Sequence, residues 1–151
     1  MGSVEALLAS LAGAGTVALD TSVFIYAFED NPRFGAAAAA VFSRLAAGEF
    51  HACASVLALG EVLAGAYKAK RPDLAIRYRA LFQSFPNLET HVMGADTAER
   101  TAALKVQYGL RTPNAIHLAT ALGRGARAFL TNDEGLRCVR EVEVLLLSDH
   151  V

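Results

Sequence analysis

Five short strand-like segments, each set between stretches of helical character, constrain this chain most. They read "TVALD", "FHACAS", "ETHVM", "ARAFLT" and "VEVLLLS". Several are nearly continuous apolar runs, the pattern of strands covered on both faces in a parallel sheet. The intervening segments carry helix punctuation. An amphipathic "VEALLASLAG" comes first, and a short helix from Ser22 follows the first strand. An alanine-rich helix from about Pro32 to Ala47 stops at Gly48, and "SVLALGEVLAGAYKAK" runs to Pro72. "DLAIRYRALFQSF" ends at Pro86, and "DTAERTAALKVQYG" leads through Gly109 into "LRTPNAIHLATALGRG". Strands alternating with helices predict a three-layer α/β/α domain with a short, mainly parallel central sheet. At 151 residues and 54% hydrophobic content, residues 1–151 form one domain with a sizeable core.

A formal net charge of −1 gives no overall attraction to nucleic acid, so a polyanion has to be met by a local patch. Cys53 and Cys138 lie far apart, with no Cys-x-x-Cys and no histidine pair nearby. They read as two buried thiols of a reducing, cytoplasmic compartment, not as structural zinc ligands or a disulfide. The apolar run "FGAAAAAVFSRLAAG" is broken by Arg44 and too short to span a bilayer, and no export signal is visible. The opening Met-Gly-Ser is given no part in the fold.

Parallel α/β sheets bind ligands beyond the carboxyl ends of their strands. Asp20 stands at such an end, after "TVAL", and Asp133 follows "AFLT" in the same way. Either alone would be an ordinary helix cap. Glu61 is harder to place, because its neighbours one turn away are Leu57, Ala58, Ala64 and Gly65, none able to form a salt bridge. An unpaired carboxylate is costly to bury, so Glu61 either reaches outward or is held inward by a cation. Three acids on one sheet edge make a seat for a hard divalent cation.

Asn114 opens a helix towards that edge. Thr112 is placed to cap it, with Pro113 at the first helical position and Asn114 in the first turn. A carboxylate would suit that turn better than an amide, since the helix N-terminus favours anions.

With these residues in place, the chain resembles the PIN-domain ribonucleases, especially VapC-type toxins of bacterial toxin–antitoxin pairs. The likeness covers nearly the whole chain. "ALDTSVFIYAF" is similar to the family's first motif and carries its metal-binding aspartate onto Asp20. "SVLALGEVLAG" maps the family's glutamate onto Glu61, and "LTNDEGL" maps a Thr-x-Asp core onto Thr131 and Asp133. "RTPNAIHLATAL" is similar to the third motif, where the family has aspartate directly after the proline. Here that position is Asn114, which offers a neutral carbonyl oxygen and removes one negative charge.

The resemblance implies metal-assisted hydrolysis of RNA, with one or two Mg2+ or Mn2+ ions held by Asp20, Glu61, Asn114 and Asp133. Arg111 and Thr131 are then the substrate-contacting candidates. It also implies a cognate antitoxin and a homodimer, for which the alanine-rich helices offer flat surfaces. Two other readings compete. A PIN-like module could keep RNA or antitoxin affinity while losing turnover through Asn114. A haloacid-dehalogenase-type phosphatase would need a second aspartate where the chain has Ser22. His117, one turn after Asn114, reads first as a structural histidine. His51, His91 and His150 show no ligand spacing. The group Lys68, Lys70, Arg71, Arg77 and Arg79, interleaved with Tyr67 and Tyr78, reads first as a solvated helix hairpin and second as an RNA track.

Overall fold

A computed structural model describes residues 2–151. In chain order the elements are α1 (Val4–Ala12), β1 (Thr16–Leu19), α2 (Thr21–Phe28), α3 (Gly35–Ala46), β2 (His51–Ser55), α4 (Val56–Lys68) and α5 (Pro72–Ser84). They continue with β3 (Leu88–His91), α6 (Ala95–Tyr108), α7 (Thr112–Gly123), β4 (Ala128–Thr131) and β5 (Glu143–Leu146). Short 3-10 turns at Glu134–Leu136 and Leu147–Asp149 flank β5. The strands form one sheet in the order β3-β2-β1-β4-β5, with every pairing parallel.

Alternation of side chains along each strand divides the core between two faces. Val17 and Leu19 of β1, Ala52 and Ala54 of β2, and Ala128 and Leu130 of β4 face α1 to α5. Ala18, Cys53 and Phe129 face α6 and α7 instead. The chain winds outward from β1 through β2 to β3 with helices on the first face. It then crosses under α6 and α7 to reach β4 on the other side of β1. Right-handed crossovers require this change of face when the direction of winding reverses. The reversal opens a crevice between the carboxyl ends of β1 and β4.

The first face is filled by aromatic side chains. Phe24 stacks on Phe82 at 4.4 Å between ring centroids and meets Phe42 at 5.2 Å, while Phe28 stacks on Tyr78 at 5.0 Å. Ala37 and Ala38 of α3 are buried in this core, while Ala36 and Ala39 are exposed on the helix's outer side.

Several local expectations change. Helix α7 begins at Thr112 with Arg111 as its cap residue, so Thr112 and Pro113 occupy the first turn and Thr112 makes no capping bond. Helix α6 starts at Ala95 after Gly94, which places Asp96 inside its first turn. Ser3 accepts a hydrogen bond from the Ala6 amide and caps α1, so the opening residues do take part in the fold; Met1 lies outside the described residues. Cys138 is exposed, because it follows a 3-10 turn at the surface, whereas Cys53 is buried on β2. Burial pushes the Cys53 thiol up to about 11. No helix among the described residues is long and apolar enough to cross a membrane.

Candidate active site

Asp20 is the last residue before α2 and its N-cap, accepting a 2.7 Å bond from the Thr21 amide. Extended backbone there turns the carboxylate off the end of β1 into the crevice, where it is 7% exposed. Its other oxygen accepts a 2.6 Å bond from Thr131 Oγ1, at the end of β4. Thr131 in turn accepts from the Asp133 amide at 3.1 Å, so one hydroxyl ties both acidic strand ends together. Asp133 caps the following 3-10 turn by accepting from the Gly135 amide at 2.9 Å.

Glu61 approaches from α4. Its Oε1 accepts from Thr21 Oγ1 at 2.7 Å and lies 2.9 Å from His117 Nε2 on α7. His117 Nε2 is also 3.0 Å from Thr21 Oγ1 and 3.8 Å from Asp20 Oδ1, which puts its proton on Nε2. The hydrogen bond from His117, and secondarily the one from Thr21, hold Glu61 below the usual carboxylate range despite its partial burial. In this structure an imidazole and a hydroxyl hold Glu61 inward.

Asn114 Nδ2 donates to Asp133 Oδ2 at 2.8 Å. An ionised carboxylate only accepts, so the amide must turn its NH2 towards Asp133 and keep its carbonyl oxygen for another partner. An aspartate at this position would instead set two carboxylates at hydrogen-bonding distance. Arg111 NH2 stands 3.7 Å from Asp133 with its side chain 82% exposed, an ion pair of little energetic weight at the rim.

Asp20, Thr21, Glu61, Arg111, Asn114 and Asp133 line a cleft of about 400 Å³ that also includes Ser22, Ile25, Tyr26, Asn132 and Glu134. A larger hollow of about 590 Å³ lies over β2 and β3, lined by His51, Cys53, Asn87, Glu89, His91 and Arg124. It lies away from the crevice and brings together only one carboxylate, so the smaller cleft is the better candidate for chemistry. Asp20, Glu61, Asn114, Asp133 and Arg111 all line that cleft. Thr131, expected to meet a substrate, is 0% exposed and spends its hydroxyl on Asp20; it positions the acids. The basic group of α4 and α5 does not line the cleft, and Tyr78 among it is buried.

The donors are hard oxygens, the chemistry a magnesium- or manganese-like ion requires. Ser22 Oγ, in the cleft beside Asp20, is buried without a hydrogen-bond partner and could meet a polar guest. Among the described residues no three His, Cys, Asp or Glu side chains are gathered closely enough to hold one ion, and Thr21, Thr131, His117 and Asn114 engage the carboxylates. The residues thus fit a divalent ion in kind, with some of these hydrogen bonds exchanged on binding. Sequence reasoning underrated His117 and overlooked Thr21. Their signal was spacing: His117 sits one turn beyond Asn114, and Thr21 directly follows Asp20.

Comparison with known proteins agrees with this geometry. No curated protein matches the chain in sequence. Among solved structures, a Rickettsia felis VapBC complex bound to promoter DNA superposes with a TM-score of 0.69 at 17% identity, covering 87% of this chain and 98% of that one. A toxin–antitoxin complex from Klebsiella pneumoniae gives 0.66 at 23% identity, covering 87% and 97%. A Mycobacterium tuberculosis VapC toxin that cleaves the sarcin-ricin loop gives 0.66 at 16% identity, covering 84% and 98%. At these identities the likeness speaks for the fold. The family model of the PIN domain matches residues 17–142, which takes in Asp20, Glu61, Asn114 and Asp133, and the chain belongs to the PIN domain family.

Proposed function

We propose that this chain is a divalent-metal-dependent ribonuclease and the toxin of a toxin–antitoxin pair. The observation that carries the reading is the meeting of Asp20, Glu61, Asn114 and Asp133 in one cleft at the sheet's reversal point, in a PIN-family chain. Asp20, Glu61, Asp133 and the carbonyl oxygen of Asn114 would hold Mg2+ or Mn2+. When bound, such an ion polarises a phosphoryl oxygen and lowers the pKa of an attacking water.

The remaining chemistry belongs to the chain itself. Thr131 and the Thr21 amide fix both oxygens of Asp20, so its carboxylate does not have to reorganise during reaction. His117 and Thr21 keep Glu61 ionised and orient it towards Asp20. Arg111, free to swing at the rim, is suited to a phosphate of the incoming strand. An antitoxin partner accompanies the reading by analogy with the toxin–antitoxin complexes that share the fold; a cytoplasmic setting and a homodimer belong to the proposal as what the family resemblance implies.

Purified protein incubated with a mixed RNA pool should cleave with magnesium or manganese, stop with EDTA, and lose cleavage in Asp20→Ala. Cleavage that ignores EDTA, or survives Asp20→Ala, would sink the reading. One observation favours a second one: the Asn114 amide satisfies Asp133 without any ion. A protein that binds RNA or a small antitoxin but cleaves nothing under any metal condition would be the binding module.

A further inference from the structure

The acids of the cleft leave one wall without a role. Along it, α2 presents Ile25 and Tyr26, the large apolar side chains among the lining residues. Tyr26 is held from two sides. Its ring packs on Phe34 at 5.0 Å between centroids with 31° between planes, and its hydroxyl accepts from Asn132 Nδ2 at 3.1 Å. Asn132 is fixed in turn by accepting from the Ser148 amide at 2.9 Å. Behind the pair, the Arg33 guanidinium lies over Phe34, 4.8 Å from its centroid.

This immobilised aromatic stands where electrostatics is unfavourable for a polyanion. Asp20, Glu61, Asp133 and Glu134 line the cleft against the single cation Arg111. Charge attraction within the cleft therefore cannot be the main source of affinity for a nucleic acid, and an uncharged contact is needed. Stacking on an aromatic ring is such a contact, and it accepts every base because each has a π-face. Phe34 packs on the ring, and the half-buried Tyr26 still lines the cleft where a guest would sit. A ring fixed at both its hydroxyl and its back loses little freedom when a base settles on it.

We propose that Tyr26 is a nucleobase platform, stacking the base of a nucleotide next to the phosphate that the acids address. The inference rests on the RNA reading of the same cleft. It implies that the base must be unpaired, since a base inside a duplex has no free face to offer.

The test uses a short single-stranded RNA carrying one 2-aminopurine, and the same strand with an abasic residue in its place, with binding measured in EDTA at low salt. Wild-type protein should quench the fluorophore and bind the abasic strand roughly ten-fold more weakly, the scale of one stacked base. Tyr26→Leu should lose the quenching and bind both strands alike, while Tyr26→Phe keeps ring and quenching. Equal wild-type affinity for the two strands, with no quenching, overturns the platform without requiring any variant to fold. Unchanged quenching in a folded Tyr26→Leu protein overturns it as well. Cleavage with manganese is read separately. Base-dependent binding without cleavage supports the platform and defeats the ribonuclease, cleavage that ignores the missing base defeats the platform alone, and no RNA binding in either assay defeats both.

Discussion

Replacing Asn114 by aspartate changes one amide into the carboxylate that the resemblance places there, and the structure sets the size of the effect. The change removes a 2.8 Å hydrogen bond to Asp133 and puts a second negative charge beside the first. A hydrogen bond to a charged group contributes about 1.5–3 kcal/mol, and the 32% exposure of the Asp133 side chain argues for the lower end. Two unit charges about 3 Å apart at an effective dielectric near 20 repel by roughly 5 kcal/mol, which rotation of the new side chain and solvent screening cut to a fraction. The helix dipole returns about 0.3–1 kcal/mol to an acid in the first turn of α7. Without metal, Asn114→Asp should therefore lose about 2–4 kcal/mol, or roughly 5–15 °C in Tm for a chain of this size. The penalty should shrink at low pH, where the crowded pair takes up a proton. A divalent ion reverses the balance by binding both carboxylates, so manganese should raise the Tm of the variant more than that of the parent. Differential scanning calorimetry of both proteins, in EDTA and across a manganese series, reads all of this. A variant as stable as the parent in EDTA, with the same response to manganese, would refute both the Asn114–Asp133 contact and the shared ion.

Other expectations follow from neighbouring contacts. Thr131→Val should cost about 1.5–3 kcal/mol, because it strips a buried donor from Asp20, and RNA cleavage should fall with it; chemical denaturation and a cleavage assay check the two separately. Glu61 titrates lower in the folded than in the unfolded chain, so its contribution to stability is present above its unfolded pKa and lost as pH falls through the folded value. His117→Ala removes the leading cause and should move the Glu61 carboxylate, followed by NMR, up towards its ordinary pKa; no movement would contradict the contact. Cys138 should react with a thiol reagent in the native protein while Cys53, buried and held up at about 11, reacts only on unfolding. Two thiols counted before unfolding would show that β2 is not covered as described.

Much of this protein was determined by interactions within a turn or two of chain. The apolar runs and helix stops specified the strands and helices, with shifts of a few residues such as β3 at Leu88–His91 in place of "ETHVM". Asp20 and Asp133 were legible as strand-end caps, since each accepts a bond from an amide one or two residues on. The identity of the acids was equally open to reading, because a glutamate on a helix as apolar as α4 stands out by composition alone.

Which groups would meet depended on the tertiary structure. Thr131 reaches Asp20 across 111 residues and His117 reaches Glu61 across 56. Nothing in the separation of those pairs distinguishes partners from bystanders, since the place of His117 one turn beyond Asn114 does not point to Glu61. Helical and strand periodicity settle which face a side chain occupies, but not which face of another element lies opposite it. That was decided when β4 docked beside β1 instead of beside β3, placing Thr131 against Asp20, and when His117 of α7 met Glu61 of α4. The physical reason is the difference in range: a cap is satisfied by the amides of its own turn, whereas a carboxylate in a crevice takes its partners from whatever the packed core carries to it.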